Sequence, residues 1–395
     1  MFVFQECVKK NKITMVQYNK QLIDIKDKQS VNSALNQDYI TTGPFVKKFE
    51  NNLKSFLKCK FAHVCSSGTA AIHLALLSIG VRKNDIILLP SINFIASYNI
   101  SKMLGAKIFL VDVDSKTGQM TPENIENCVR ENSIKNIKAI FTMYHGGYPE
   151  NVANFYKLKK KYKFIIIEDA CHALGASYLH GKKTYQVGSC AHADISTFSL
   201  HPVKSITTGE GGVITTNNQK LSNDILLYRS HGIKKSKKSY WKYNVIKVGL
   251  NYRLSDINCA LGISQLKKLN KFLVKRKKIY FNYLNLLHNF DERLYIRKIS
   301  KNINPSFHLM LININFKKLK KNKDHFMRYL NNQGIFAQYH YIPLYKFTIF
   351  KEKKMKFKGA EEYFKQTISI PIFVDLKKNI QNKIVNTIKK YLKNN

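Results

Sequence analysis

Short apolar runs and longer amphipathic ones alternate through the first two-thirds of the chain. "FAHVCSS" (61–67) reads as a strand running into the helical "TAAIHLALLSIG" (69–80). "DIILLP" (85–90) and "KIFLVDV" (107–113) are short apolar strands, with "FIASYNISKMLG" (94–105) between them. "IKAIFTMY" (137–144) and "KFIIIEDA" (163–170) follow, separated by the helical "ENVANFYKLKKKY" (150–162). Apolar strands of this length, alternating with helices, predict a mainly parallel sheet covered on both faces. In such sheets ligands bind at the carboxyl ends of the strands.

From about residue 261 the pattern changes. A basic helical stretch, "ISQLKKLNKFLVKRKKIYFNYLNLL" (263–287), leads to a strand "FHLMLININF" (307–316), a helix "DHFMRYLNNQGI" (324–335) and a strand "FAQYHY" (336–341). The organisation expected is α/β: a large domain over 1–260 and a smaller α+β domain over 261–395. No internal repeat is visible and no linker separates independent units.

Composition narrows the function. The chain has 395 residues and a formal net charge of +41, which raises nucleic acid as a partner. Yet only eight of its 66 basic residues are arginine, the side chain whose planar fork matches guanine and phosphate. The lysine runs, such as "KLKKKYK" (157–163) and "KKLKKNK" (317–323), recur rather than mark one module. A solvated basic surface is the reading taken, with no nucleic acid as partner. No apolar run is long enough to span a membrane, and "MFVFQECVKKNK" charges too quickly for a secretory leader, so a cytoplasmic protein is expected. Seven cysteines (7, 59, 65, 128, 171, 190, 259) form no Cys-x-x-Cys; neither a disulfide framework nor a metal site is indicated.

Three strand ends carry unusual chemistry. Ser67, Gly68 and Thr69 open a helix, where backbone N–H groups and the helix dipole suit a phosphate, although Ser-Gly-Thr is also an ordinary N-cap. Glu168 and Asp169 close an apolar strand, with His172 three residues on; a carboxylate there needs a partner or serves as a cap. Lys204, in "STFSLHPVKSITTGEGG", sits among small, apolar and hydroxylated neighbours. A lysine so placed deprotonates more easily and can form a Schiff base. Phosphate cradle, strand-end aspartate and lysine together meet the needs of pyridoxal 5′-phosphate. The aspartate keeps its pyridine nitrogen protonated, and the lysine anchors it and moves the proton.

The segments "YITTGPFVKKFE", "SSGTAAIHLAL", "IIEDACHALGA", "FSLHPVKSITTGEGGVITTN", "YRSHGI" and "GLNYRLSDINCALGISQL" resemble the DegT/DnrJ/EryC1/StrS sugar aminotransferases, from about residue 15 to the C-terminus. The resemblance implies the fold-type I architecture and a homodimer with shared active sites. Position by position it makes Lys204 the Schiff-base lysine and Asp169 the partner of the pyridine nitrogen. His172 falls near the ring's phenolic oxygen and Phe94 stacks on the ring. Ser67, Gly68, Thr69 and Ser199 hold the phosphate, with Asn251 reaching in from the other subunit. Tyr18, Asp38, Tyr39, Ile40, Thr41, Ser67 again, Tyr339, His340, Tyr341 and Ile342 match regions that meet the nucleotide sugar.

"SQLKK", "GIFAQYHYIPLY" and "ISIP" are most similar to members acting on pseudaminic-acid-type sugars, which implies glutamate as donor, 2-oxoglutarate as product and a UDP-linked 4-keto-6-deoxy-N-acetylhexosamine as acceptor. Perosamine-, bacillosamine- and 3-amino-type sugars are the alternatives within the family. A sugar dehydrase of this fold would lack the lysine at 204; a regulatory or nucleic-acid-binding protein on the fold is the non-enzyme alternative. Two departures bear on the sugar. Ile342 stands where similar members have lysine, and "MYHGGYP" places Tyr144 and His145 where many relatives have His-Leu.

Overall fold

The computed structural model describes residues 15–236, 238–239, 241–350 and 357–395; Cys7 and the rest of the first dozen residues lie outside them. Nine strands run in order through the first part of the chain: β1 Phe61–Cys65, β2 Ile86–Pro90, β3 Lys107–Val111, β4 Ile137–Met143, β5 Ile165–Asp169, β6 Ser177–His180, β7 Lys183–Gln186, β8 Ile195–Ser199 and β9 Gly212–Thr216. Among the described residues, seven of them form one sheet in the order β1-β9-β8-β5-β4-β2-β3. β9 pairs antiparallel with both β1 and β8, while β8, β5, β4, β2 and β3 pair parallel in series. The mainly parallel sheet expected from the pattern is therefore present, with β9 running opposite to the rest.

The apolar runs are continuous because both faces are covered. Ile87, Leu89, Ala139, Phe141 and Ile167 pack on one face, against the helices Gly68–Ser78 and Ala96–Met103. The residues between them, Leu88, Ile140 and Ile166, pack on the other, against the helices Pro122–Glu131 and Val152–Tyr162. With side chains alternating sides, β2 has no polar residue at all and β5 none before Glu168 and Asp169 at its end.

The smaller lobe is built on a second sheet. After a hairpin of β10 Ile233–Lys235 and β11 Tyr243–Val245 come β12 Leu294–Tyr295, β13 Ile303–Asn304, β14 Met310–Ile314 and β15 Thr367–Ile370. β14 lies between β12 and β15, antiparallel to both, and β13 joins the edge of the β6–β7 hairpin. The expected strand over 336–341 does not form. Gln338 makes an isolated bridge to Ser369 and Ile335 one to Val16, because His340 and Tyr341 leave the small sheet to line the cavity described below.

One helix joins the lobes. It runs without a break from Asp256 to Leu287, capped by Ser255, whose hydroxyl accepts from the Asn258 N–H. Cys259, Ile263, Leu266, Leu269 and Phe272 belong to the large-lobe core, whereas Ile279, Tyr280, Tyr283 and Leu287 belong to the small-lobe core. The expected boundary at 260/261 thus falls inside a helix, and packing changes hands further along it.

Candidate active site

The carboxyl ends of β1, β4, β5 and β8 converge on a cavity of about 360 Å³. The chain leaves β1 at Ser67, whose Oγ accepts from the Ala70 N–H at 3.0 Å and caps the helix Gly68–Ser78. That cap satisfies the third N–H of the helix. The Gly68 and Thr69 N–H groups, at the first two helical positions, are left for a ligand, and both residues line the cavity. Gly68 is required by space: a Cβ there would fall 2.9 Å from Ser199 Cβ at the end of β8. Gly212 is required likewise, since its Cβ would lie 2.2 Å from the Ser67 carbonyl oxygen. The two close approaches bring the β1 and β8 ends together and open a cradle of backbone and hydroxyl groups.

Asp169 ends β5 and is 4% exposed. Its Oδ1 accepts from the Cys171 N–H at 3.3 Å. Burial pushes its carboxyl above the usual range, offset in part by the bonds from Cys171 and by the charge of Lys204. Burial likewise pushes the Lys204 amine below the usual lysine value, with Cys171 and Asp169 pulling it back. Desolvation thus outweighs attraction at both ends of the pair, and each group is held closer to neutrality than in water. Lys204 follows a turn closed by its N–H to the His201 carbonyl at 2.8 Å.

His172 is fixed by both ring nitrogens. Nδ1 accepts from the Gly146 N–H at 3.4 Å, and Nε2 lies 2.9 Å from the Tyr341 hydroxyl. Burial and the charge of Lys204 hold it well below the usual histidine value, so the ring is neutral. With Nδ1 accepting, the proton sits on Nε2 and is donated to Tyr341. His308 lies against the His172 ring at 4.3 Å. Phe94, 54% exposed, has its ring 6.0 Å from that of Tyr341.

Of the residues picked out from sequence, Tyr18, Ser67, Gly68, Thr69, Phe94, Asp169, His172, Ser199, Lys204, His340 and Tyr341 line this one cavity. The others do not. Tyr339 turns to the small-lobe core and donates to Asp324 at 2.6 Å, whereas the next two residues, His340 and Tyr341, both line the cavity. Ile342, Asp38, Tyr39, Ile40 and Thr41 are exposed outside the cavity wall. Asn251 is also exposed; it bridges to Ser230, and its Oδ1 accepts from the Arg253 N–H at 3.4 Å. Sequence reasoning missed Cys171, His201, Glu210 and His308, which line the cavity too. His308 carries a weak signal, a polar residue beside the apolar run "LMLINI".

The residues fit pyridoxal phosphate: a phosphate cradle that a single added Cβ would crowd, a buried carboxylate with one long hydrogen bond, and a buried amine made less basic by its surroundings. The helices of the described residues include none long and apolar enough to cross a membrane.

Comparison with known proteins agrees with this geometry. The chain is 38% identical to the UDP-4-amino-4,6-dideoxy-N-acetyl-beta-L-altrosamine transaminase of Campylobacter jejuni, over 90% of this chain and 92% of that one. It is 30% identical to the GDP-perosamine synthase of Escherichia coli O157:H7, over 89% and 91%. Its structure matches the Helicobacter pylori aminotransferase involved in the biosynthesis of pseudoaminic acid with a TM-score of 0.88, at 28% identity, covering 97% of this chain and 100% of that one. Residues 21–389 match the model of one family. The chain belongs to the DegT/DnrJ/EryC1/StrS aminotransferase family, whose members depend on pyridoxal phosphate.

Proposed function

We propose that this pyridoxal-phosphate-dependent aminotransferase moves the amino group of glutamate to C4 of a nucleotide-linked 4-keto-6-deoxy sugar, a UDP-linked N-acetylhexosamine of the pseudaminic-acid type. The observation that carries the reading is that Lys204, Asp169, Tyr18, His340 and Tyr341 line one cavity. The resemblance to the altrosamine transaminase supports the choice of sugar.

The Gly68 and Thr69 N–H groups, with Ser67 and Ser199, hold the cofactor phosphate. Asp169 would pair with the pyridine nitrogen, where its carboxylate would hold a proton. The exposed ring of Phe94 offers a flat apolar face. Bound in this way, the cofactor serves as an electron sink for the carbon that loses its proton. Lys204 Nζ, made less basic by burial, would anchor the cofactor and is the group placed to take up and return a proton. His172, neutral and donating from Nε2, orients the Tyr341 hydroxyl so that its own proton is free to point into the cavity. Glutamate and the keto sugar then use one site in turn, a ping-pong order.

The reading includes a homodimer. Asn251 and its exposed apolar neighbours Tyr243, Val248 and Leu250 form the surface that a second copy covers, and Asn251 completes the partner's phosphate site. It also takes the enzyme to be cytoplasmic, in keeping with six free cysteines among the described residues.

The test is incubation of the purified protein with glutamate and a panel of nucleotide 4-keto sugars, GDP- and dTDP-linked ones included, with mass spectrometry of the products. A UDP-linked 4-amino sugar is expected. Amination of a GDP-linked sugar alone, as the perosamine synthase likeness would favour, overturns the choice of acceptor.

A further inference from the structure

The loop Tyr144-His145-Gly146, which departs from the family wording, makes three contacts with three different parts of the site. Tyr144 donates to Glu168, next to Asp169, at 2.6 Å. The Gly146 N–H meets His172 Nδ1 at 3.4 Å, and the Gly146 carbonyl accepts from the His308 N–H at 3.0 Å. His145, fully buried, reaches neither cofactor-side group. Its Nε2 lies 2.7 Å from the Tyr363 hydroxyl, and that hydroxyl donates to the His340 carbonyl at 3.1 Å.

The direction of this relay is fixed by counting protons. Tyr363 has one, given to His340, so it must accept from His145, whose proton therefore sits on Nε2. Nδ1 of His145 has no partner among the described residues. Burial and the nearby charge of Arg297 hold the imidazole neutral. The Tyr363 ring is itself held against Gly118, where a Cβ would fall 2.6 Å from it. His340 and Tyr341, at the end of the relay, are wall residues of the cavity, and the rings of His145 and Tyr341 lie 5.9 Å apart.

We propose that His145 is a positioning residue for the sugar: through Tyr363 it holds the His340 backbone, and so sets where the His340 and Tyr341 side chains meet the acceptor. The inference rests on the amination reading above. It separates the two halves of the reaction, because glutamate and the sugar both need Lys204 and Asp169 but only the sugar needs the His340–Tyr341 wall.

Holoenzyme with His145→Phe should release 2-oxoglutarate from glutamate in a single turnover at the wild-type rate. Its KM for the UDP-linked 4-keto-6-deoxy-N-acetylhexosamine should rise roughly tenfold, the loss expected when a buried hydrogen bond is removed, with kcat little changed. Tyr363→Phe deletes one oxygen from the same relay and should reproduce the rise, and the double variant should add nothing further. His145→Gln, which keeps an N–H donor, should restore most of the affinity. Should His145→Phe not fold, Tyr363→Phe decides the matter alone. An unchanged sugar KM in Tyr363→Phe overturns the inference, as does an equal loss in the glutamate half. Wild-type protein that turns over glutamate but never aminates this sugar overturns the amination reading, and this inference with it.

Discussion

Replacing Asp169 by asparagine should make the cofactor-free protein no less stable while removing most of its activity. The substitution keeps the shape, and the amide oxygen can still accept from the Cys171 N–H at 3.3 Å. What changes is the charge on a side chain that is 4% exposed. At this carboxyl burial outweighs the attraction of Lys204, so removing the charge relieves more than it forfeits, and a small gain, on the order of 1 °C in Tm, is expected. The pH dependence follows from the raised carboxyl. A folded-state value above the unfolded one means that the contribution to stability is fully present below the ordinary carboxylate range and is lost as pH rises through the folded value. The variant has no such loss, so its advantage should grow from about pH 4 upward. Glu168, raised for similar reasons, is common to both proteins and cancels. With cofactor bound, losing the charge that protonates the pyridine nitrogen should cost roughly 10²–10³ in the single-turnover rate, the scale of a lost electrostatic stabiliser. Thermal unfolding across pH without cofactor, paired with 2-oxoglutarate release, measures both sides. A variant less stable at every pH, or one with near-normal turnover, would show that Asp169 is a cap for Cys171 and nothing more.

Three further outcomes are expected. Gly68→Ala should weaken cofactor binding by tenfold or more, because the new Cβ meets Ser199 at 2.9 Å and crowding of this kind costs about 1–3 kcal/mol; a fluorescence titration with an unchanged Kd would refute it. Tyr144→Phe should lower stability by about 1–3 kcal/mol in urea unfolding, since it strips a buried carboxylate of a donor at 2.6 Å, leaving Ser196 as the remaining hydroxyl partner. Mixing Lys204→Ala with Asn251→Ala subunits should restore activity above that of either alone if sites are shared between chains, whereas activity no higher than the unmixed asparagine variant means that each chain owns its site.

Five strands of the large sheet were legible because they are buried on both faces, so that apolar runs such as "FIII" end abruptly at polar residues such as Glu168 and Asp169; β8, "ISTFS", has Ser196 and Thr197 in mid-strand and offers no such run. The same abruptness made the cavity legible. The 336–341 segment was not, because its apolar and aromatic residues read as a strand whether they face a core or a ligand; Tyr339 and His340 are neighbours in sequence and serve opposite sides. Nor was the lobe boundary legible. The helix from Asp256 to Leu287 keeps one amphipathic pattern while the core it packs against changes. Asn251 and the 38–41 stretch stand exposed outside the cavity; resemblance alone marked them, and the bridges they make, Asn251 to Ser230 and Thr41 to Ser255, are backbone contacts with no sequence signal. His145 stood out only as a departure in wording, because the hydrogen-bond partner that gives it a role, Tyr363, is 218 residues away in sequence.

The small lobe is closed by the two ends of the described chain. Val16 pairs with Ile335, its N–H on the Gly334 carbonyl at 2.8 Å and its carbonyl on the Phe336 N–H at 3.0 Å, and it belongs to the same core as Ile388 and Leu392. During synthesis, then, the large sheet can be completed once Thr216 has emerged, while the early segment around Val16 must wait for partners made more than 300 residues later. Contacts of such long reach form slowly, and domains tend to fold as units in the order they are made. The cavity wall at His340 and Tyr341 is therefore among the last parts assembled, and a ribosome-bound chain stalled before residue 334 would carry Lys204 and Asp169 in a cavity still open on that side.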